Sequence, residues 1–442
     1  MHIVVLGGGP AGLAAATEAL QAGHAVTVVD PGDPGGNALY HSLVPSKVLI
    51  ERAAAGTPGG AFAWTGWMAR QREVVAAVAA QARAELEGAR LVRGTAHLVR
   101  QRGRVAAQVD GTALPADGII VATGSQQVLV PGLAPDGSRV LLPRAFATLK
   151  APPTALAVVG AGPTGLEAAA LFARAGSRVS LFTPHARLLP DWAWEVSAGL
   201  QALFRHLGVD VFYGQRIERL EADGTLVRLH TAAGAVFTTP AVFLATGRRP
   251  TVPREEYADA GLAVDAAGFL ATDAVGRTNV EGVFAAGDAA GMPLLANKAR
   301  WQGRMAARTA LGQVSDPIRP PAFVEAVYTH PDAARVGATP GRGLPRGAAV
   351  WLARPRSLTY RLALEALPDV PAVALVYADG PDGPVRGAEA FGPRAADLLA
   401  PVALAVAAGL PVSRLRDLPA ATPTVAEWLA DLVPVPSPQA PV

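Results

Sequence analysis

Cysteine is absent from the 442 residues. The chain therefore forms no disulfide and no thiolate metal site, and it carries no cysteine nucleophile or redox thiol. Lysine is almost absent: Lys47, Lys150 and Lys298 stand against 36 arginines. Such a bias reflects coding composition, and it makes each retained lysine a position to explain. Charged residues are only 17% while half the chain is hydrophobic. That balance excludes global disorder and permits a large core. The net charge of +3 is too small an excess to argue for nucleic acid, despite a pI near 9.4. Long apolar runs are missing too. The uncharged stretch Leu398 to Ser413 is broken by Pro401, Gly409 and Pro411. It is shorter than the ~20 apolar residues a membrane span needs, and it reads as a buried or interfacial helix. Met1 to Leu6 run straight into a glycine loop, without the basic and apolar regions of a signal peptide. A soluble, cytoplasmic protein is expected. The histidines show no metal-ligand spacing, and no nucleic-acid motif is present.

Two segments share one grammar: His2 to Asp30 and Leu156 to Thr183. Each is a short apolar run, a G-x-G-x-x-G loop, an alanine-rich amphipathic helix, a glycine and a second apolar run. This reads as strand, tight loop, helix and strand, twice. The first glycine makes the turn, the second lets backbone approach a pyrophosphate, and the third permits close helix–strand packing. They are Gly7, Gly9 and Gly12 in the first copy, and Gly160, Gly162 and Gly165 in the second. Asp30 ends the second strand of the first copy, where an acid accepts from a ribose hydroxyl. The second copy has Thr183 there, so nothing favours NAD. Arg187 and Arg178 are candidates for a 2′-phosphate, which leans towards NADPH; a plain surface role for Arg187 stays open. Two further echoes, GIIVATGS at Gly118–Ser125 and AVFLATGRRP at Ala241–Pro250, read as buried strands ending in a glycine turn beneath a nucleotide. In NVEGVFAAGDAAG, Asn279 to Gly291, an apolar strand runs into Gly287 and Asp288.

With these motifs in order, the chain resembles the FAD-dependent pyridine nucleotide–disulfide oxidoreductases, which include dihydrolipoamide dehydrogenase, glutathione reductase and mercuric reductase. YTHPDAARVGAT, Tyr328 to Thr339, looks like the opening of that family's dimerisation domain. The resemblance implies an α/β fold: two Rossmann-like dinucleotide-binding domains, for FAD and NAD(P), plus a C-terminal α+β dimerisation domain. The expected division is 1–150 and 266–318 for the FAD domain, 151–265 for the NAD(P) domain, 319–432 for dimerisation and 433–442 as a disordered, proline-rich tail. The resemblance implies that Gly7, Gly9, Gly12 and Asp30 hold the ADP half of FAD. Ala96, in GTAH, would meet the adenine, and Asp288 the ribityl chain. Gly36, Thr123, Gly124 and Ala296 join these as cofactor candidates, and Gly247 joins the NAD(P) set. A homodimer is implied, with each C-terminal domain completing the partner's active site.

The sequence departs from the family where its chemistry is most specific. The redox motif G-G-T-C-L-N-V-G-C-I-P-S-K is replaced by GGNALYHSLVPSK, Gly35 to Lys47, so the cysteines fall on Ala38 and Leu43. The H-P-T-x-x-E stretch becomes TPTVAE: Thr422 replaces the base and Glu427 keeps the acid. Disulfide exchange requires a thiolate attacking sulfur, so chemistry of the family type is not expected. Lys47 and Glu167 remain. By resemblance they pair beside flavin N5, where a cation stabilises the reduced, anionic flavin. Pro163 replaces an aromatic gate, leaving the nicotinamide pocket either permanently open or unused.

Three functions fit. NAD(P)H reduces FAD, and a quinone-like small molecule takes the electrons against an apolar wall at Ala38 and Leu43. Alternatively, a dedicated metabolite is the substrate, or the protein is an inactive FAD-binding scaffold. Tyr40, His41 and Ser42 are placed on one short helix as candidate proton donors, with a surface role favoured. His330 is read as structural.

Overall fold

The computed structural model describes residues 1–55, 61–101, 103–314, 320–354, 370–422 and 424–436. Its first sheet is parallel, in the order Val283–Ala285, Gly118–Val121, His2–Leu6, Ala25–Asp30, Arg90–Arg93. Ile3, Val4, Val5 and Leu6 are all buried. A continuous apolar run suits a strand covered on both faces. Strand Val283–Ala285 completes this sheet after the chain has left it and returned. The second sheet repeats the plan, in the order Asp210–Phe212, Arg178–Phe182, Ala155–Val159, Ala241–Leu244, Val140–Leu141. Strand Val140–Leu141 thus lies in the second sheet, although the sequence division assigns it to the first unit. Each sheet carries a three-stranded antiparallel excursion, at Ala96–Leu114 and Ile217–Thr239. A short antiparallel pair, Ser125–Gln127 with Arg248–Pro250, ties the two units together.

Both glycine loops are built from the same constraints. Gly7 and Gly160 have φ of +107° and +105°, which L side chains rarely adopt. A Cβ on Gly12 would lie 1.8 Å from the Gly7 carbonyl oxygen, and one on Gly165 would lie 1.8 Å from that of Gly160. Helices Pro10–Gln21 and Pro163–Arg174 then start with proline, whose missing N–H costs nothing at that position. Helix Ala296–Ala310 lies against Pro10–Gln21 so closely that a Cβ on Gly303 would meet the Ala11 carbonyl at 2.0 Å.

The C-terminal unit is a six-stranded antiparallel sheet in the order Glu325–Val327, Asp332–Gly337, Val385–Gly392, Val373–Ala378, Ala349–Ala353, Val433–Val435. The expected disordered tail is corrected here: its first residues form the edge strand, with Val435 opposite Val350. An edge position tolerates Pro434, because its missing N–H is needed by no further strand. Residues 437–442 lie outside the described residues. The uncharged stretch forms helix Ala400–Ala408, with Val402 and Ala405 buried and Leu404 67% exposed. Among the described residues no helix is long and apolar enough to cross a membrane.

The C-terminal sheet is clamped to the second Rossmann unit by a buried polar cluster. Glu389 is fully buried and accepts from Tyr377 Oη at 2.7 Å and from the Ala193 N–H at 3.1 Å. Arg335 binds Asp191 and Glu325 and stacks over Trp192. Burial pushes the Glu389 carboxyl up to about 7. The folded state then holds this proton more tightly than the unfolded chain, so stability falls as pH rises from the ordinary carboxylate range through 7. Thermal melts of wild type should drop between about pH 5 and about pH 8, and Glu389→Gln should flatten that slope. Equal slopes in both proteins would contradict the assignment.

Candidate active site

One cleft of about 600 Å³ opens at the carboxyl ends of the first sheet's strands. Ligands bind at this end of open α/β sheets, where strand ends and helix N-termini converge. Asp30 and Asp288 follow strands three places apart in that sheet, about 14 Å at the usual strand spacing. A ligand that meets both is elongated. Asp30 is oriented by the N–H of Gly8 at 2.6 Å and that of Gly32 at 2.7 Å. Between the carboxylates the backbone is bare. A Cβ on Gly9 or Gly124 would meet nothing within 4 Å. No side chain caps the helix behind Gly9 and no acid lies in its first turn, so its N–H groups face the cleft uncompensated. These are the features a dinucleotide requires, and the residues fit FAD.

Asp288 has partners the motif did not reveal. Ser125 donates to it at 2.5 Å, and Arg248 Nε donates to Ser125 Oγ at 2.8 Å. Lys298 is 4% exposed and reaches the carbonyls of Gly287 and Gly291. Burial pulls its ammonium down to about 8, and Asp288 opposes that shift. The rarity of lysine was the one signal in the sequence for Lys298.

On the opposite wall Lys47 Nζ donates to Glu167 Oε2 at 2.6 Å. Lys47 comes from helix Leu43–Ala54, and Glu167 from the helix after the second glycine loop. Their side chains are 27% and 8% exposed. The other carboxylate oxygen of Glu167 accepts from the Tyr328 N–H at 3.1 Å.

Of the residues singled out in the sequence, Gly7, Gly9, Asp30, Gly36, Lys47, Ala96, Thr123, Gly124, Glu167, Asp288 and Ala296 line this cleft. Ala38, Leu43 and Pro163 line it as well. Gly12 lies beneath it, against Gly7. Gly160, Gly162, Gly165 and Gly247 form the equivalent turns of the second unit, and a Cβ on Gly162 or Gly247 would meet nothing within 4 Å. Two expectations change. Arg187 turns onto its own loop, donating to Ser197 Oγ at 3.1 Å and to the Pro190 carbonyl. Arg178 begins its strand, at the end away from the glycine loop. The lean towards NADPH therefore loses both its residues. Tyr40, His41 and Ser42 do not share a helix, which ends at Tyr40. Tyr40 donates to the Pro34 carbonyl and lines a separate small cleft with Gln71 and Arg72, leaving Ser42 alone on the main wall. Thr422 donates to Glu427 at 2.7 Å, and Glu427 also accepts from the Thr424 N–H, completing a capping box.

Comparison with known proteins agrees with this geometry. The family model for pyridine nucleotide-disulphide oxidoreductases matches residues 1–303, and that for their dimerisation domain matches 324–433. The chain belongs to this family. It is a divergent, cysteine-free member with an NAD(P)H-dependent flavin oxidoreductase's architecture. Dihydrolipoyl dehydrogenase 2 of Haloarcula marismortui is 30% identical, over 94% of this chain and 92% of its own length. An NAD(P)H dehydrogenase (quinone) of Mycobacterium tuberculosis is 29% identical, over 96% of this chain and 91% of its own. Among solved structures, LpdA from Mycobacterium tuberculosis superposes with a TM-score of 0.86 at 28% identity, covering 96% of this chain and 97% of that one. Members of the family use FAD and NAD(P)H. Gly9→Val supplies a direct check of the cleft. Its side chain meets no protein atom at Cβ, so the variant should fold with a normal circular dichroism spectrum yet purify without flavin. A yellow Gly9→Val protein would contradict the placement.

Proposed function

We propose that the chain passes electrons from NAD(P)H through FAD directly to a non-disulfide, quinone-like acceptor. One observation carries this reading. The Lys47–Glu167 pair is kept on a wall where the family's two cysteines are Ala38 and Leu43. The cation that serves the flavin is retained, and the sulfur relay is replaced by apolar surface.

Bound in the cleft, FAD supplies the two-electron redox chemistry. Gly7, Gly9 and the N-terminus of helix Pro10–Gln21 receive its pyrophosphate, with Gly12 holding the turn closed. Asp30 accepts from a ribose hydroxyl, Ala96 borders the adenine, and Asp288 accepts from the polyol chain. Gly36, Thr123, Gly124 and Ala296 keep the walls close. Gly160, Gly162, Gly165 and Gly247 repeat these roles for NAD(P)H. Pro163, small and on the cleft wall, leaves the way from the second loop ungated. Glu167 holds the Lys47 ammonium in place, and Lys47 offers positive charge where negative charge develops. Ala38 and Leu43 present apolar side chains to a flat, apolar acceptor, and Leu43 is 42% exposed. The similarity to the mycobacterial NAD(P)H dehydrogenase (quinone) supports that class of acceptor. The dimerisation domain and the exposed Leu404 support a homodimer, and the cytoplasm is the proposed compartment.

The test is anaerobic mixing of the flavoprotein with NADH and, separately, NADPH, followed by menadione. Flavin absorbance should bleach within minutes with at least one nucleotide and return promptly on adding quinone. Lys47→Ala should slow bleaching on the order of tenfold or more. No bleaching with either nucleotide would favour the scaffold reading. Bleaching with slow reoxidation by quinone would favour a dedicated metabolite.

A further inference from the structure

We infer that Tyr328 is a positioning residue that holds the Lys47–Glu167 pair in its working geometry. Its ring lies under the Lys47 ammonium, with Nζ 4.6 Å from the ring centroid. Its own N–H binds the Glu167 oxygen that Lys47 does not use, at 3.1 Å. One residue therefore touches both members of the pair. Tyr328 does not line the cleft, whereas Lys47 and Glu167 do. It stands behind them.

The ring suits this task. An ammonium over an aromatic face is attracted to the ring quadrupole without being neutralised, and the ring sheds the water that would otherwise solvate it. Glu167 alone anchors Lys47 at one point, and a lysine carries four rotatable bonds. Carboxylate on one side and ring on the other confine the charge. The ring is itself held firmly. Tyr328 directly follows strand Glu325–Val327, and the loop it opens is pinned by Arg174, which donates to the carbonyls of Thr329 at 2.8 Å and of His330. Arg174 and Glu167 lie on the same helix, Pro163–Arg174, so the helix that supplies the carboxylate also fixes the loop carrying the ring. Glu51, one turn beyond Lys47, lies 3.3 Å from His330 Nε2 on the same loop. The dimerisation-domain unit thereby reaches the redox wall of its own chain. This inference rests on the FAD reading above and is independent of the acceptor.

The scarcity of lysine makes the contact measurable. Reductive methylation of the holoprotein with ¹³C-formaldehyde labels the accessible lysines and the N-terminus, and Lys47→Arg assigns the Lys47 resonance. The methyl signal of Lys47 should lie upfield in wild type, shifted by the ring current of Tyr328. It should stay there in Tyr328→Phe and return to an ordinary position in Tyr328→Leu. The flavin midpoint potential, set with dithionite so that neither nucleotide nor acceptor matters, should be unchanged in Tyr328→Phe and more negative in Tyr328→Leu. Flavin reduction by the active nucleotide should slow about fivefold in Tyr328→Leu alone. An unshifted Lys47 signal in wild type would overturn the inference without any variant. So would an unchanged potential in Tyr328→Leu, or an effect of Tyr328→Phe equal to that of Tyr328→Leu, which would assign the role to the phenol.

Discussion

The ion pair between Lys47 and Glu167 is the interaction on which the rest of the site depends. It joins a helix that follows the first glycine loop to the helix that opens the second. Glu167 is 8% exposed. Desolvation offsets much of the Coulomb gain at such a place, and a lone carboxylate there would be costly. The pair persists because each charge has further partners: the Tyr328 N–H for Glu167 and the Tyr328 ring for Lys47. By the family resemblance, a chain without the two cysteines and the histidine base still carries this lysine and this acid.

The surrounding architecture serves the same end. Two copies of one βαβ plan place two bare glycine turns at strand ends, and the short Ser125–Gln127/Arg248–Pro250 pair locks the copies together. Arg248 and Lys298 add buried positive charge around Asp288, so the carboxylate keeps a defined position in a low-dielectric wall. The C-terminal sheet contributes through two joints. The Glu389 cluster fixes its angle to the second unit, and the Tyr328–His330 loop reaches the ion pair.

What was legible in the sequence follows from how local each constraint is. The glycine loops could be read because turn, close approach and helix start all lie within a few residues of one another. Asp30 and Asp288 could be placed beside strand ends for the same reason, and both line the cleft. Gly303 could not, because its meaning depends on Ala11, far away in the chain. Tyr328 was visible as part of a domain opening, but its position over Lys47 exists only in three dimensions. Arg187 misled because a basic residue near a nucleotide loop looks like a phosphate ligand until its own loop is seen to claim it. Val433–Val435 misled because prolines usually end structure, and only an edge strand accommodates one without loss.

The central claim is that electrons leave the flavin directly, across an apolar wall, with no sulfur intermediate. Stopped-flow reoxidation of the anaerobically reduced holoprotein tests it most directly, with menadione in one syringe and lipoamide in another. The account predicts a single fast phase with the quinone, at least as fast as turnover, and no comparable reaction with the disulfide. Reoxidation by lipoamide as rapid as that by menadione would contradict it.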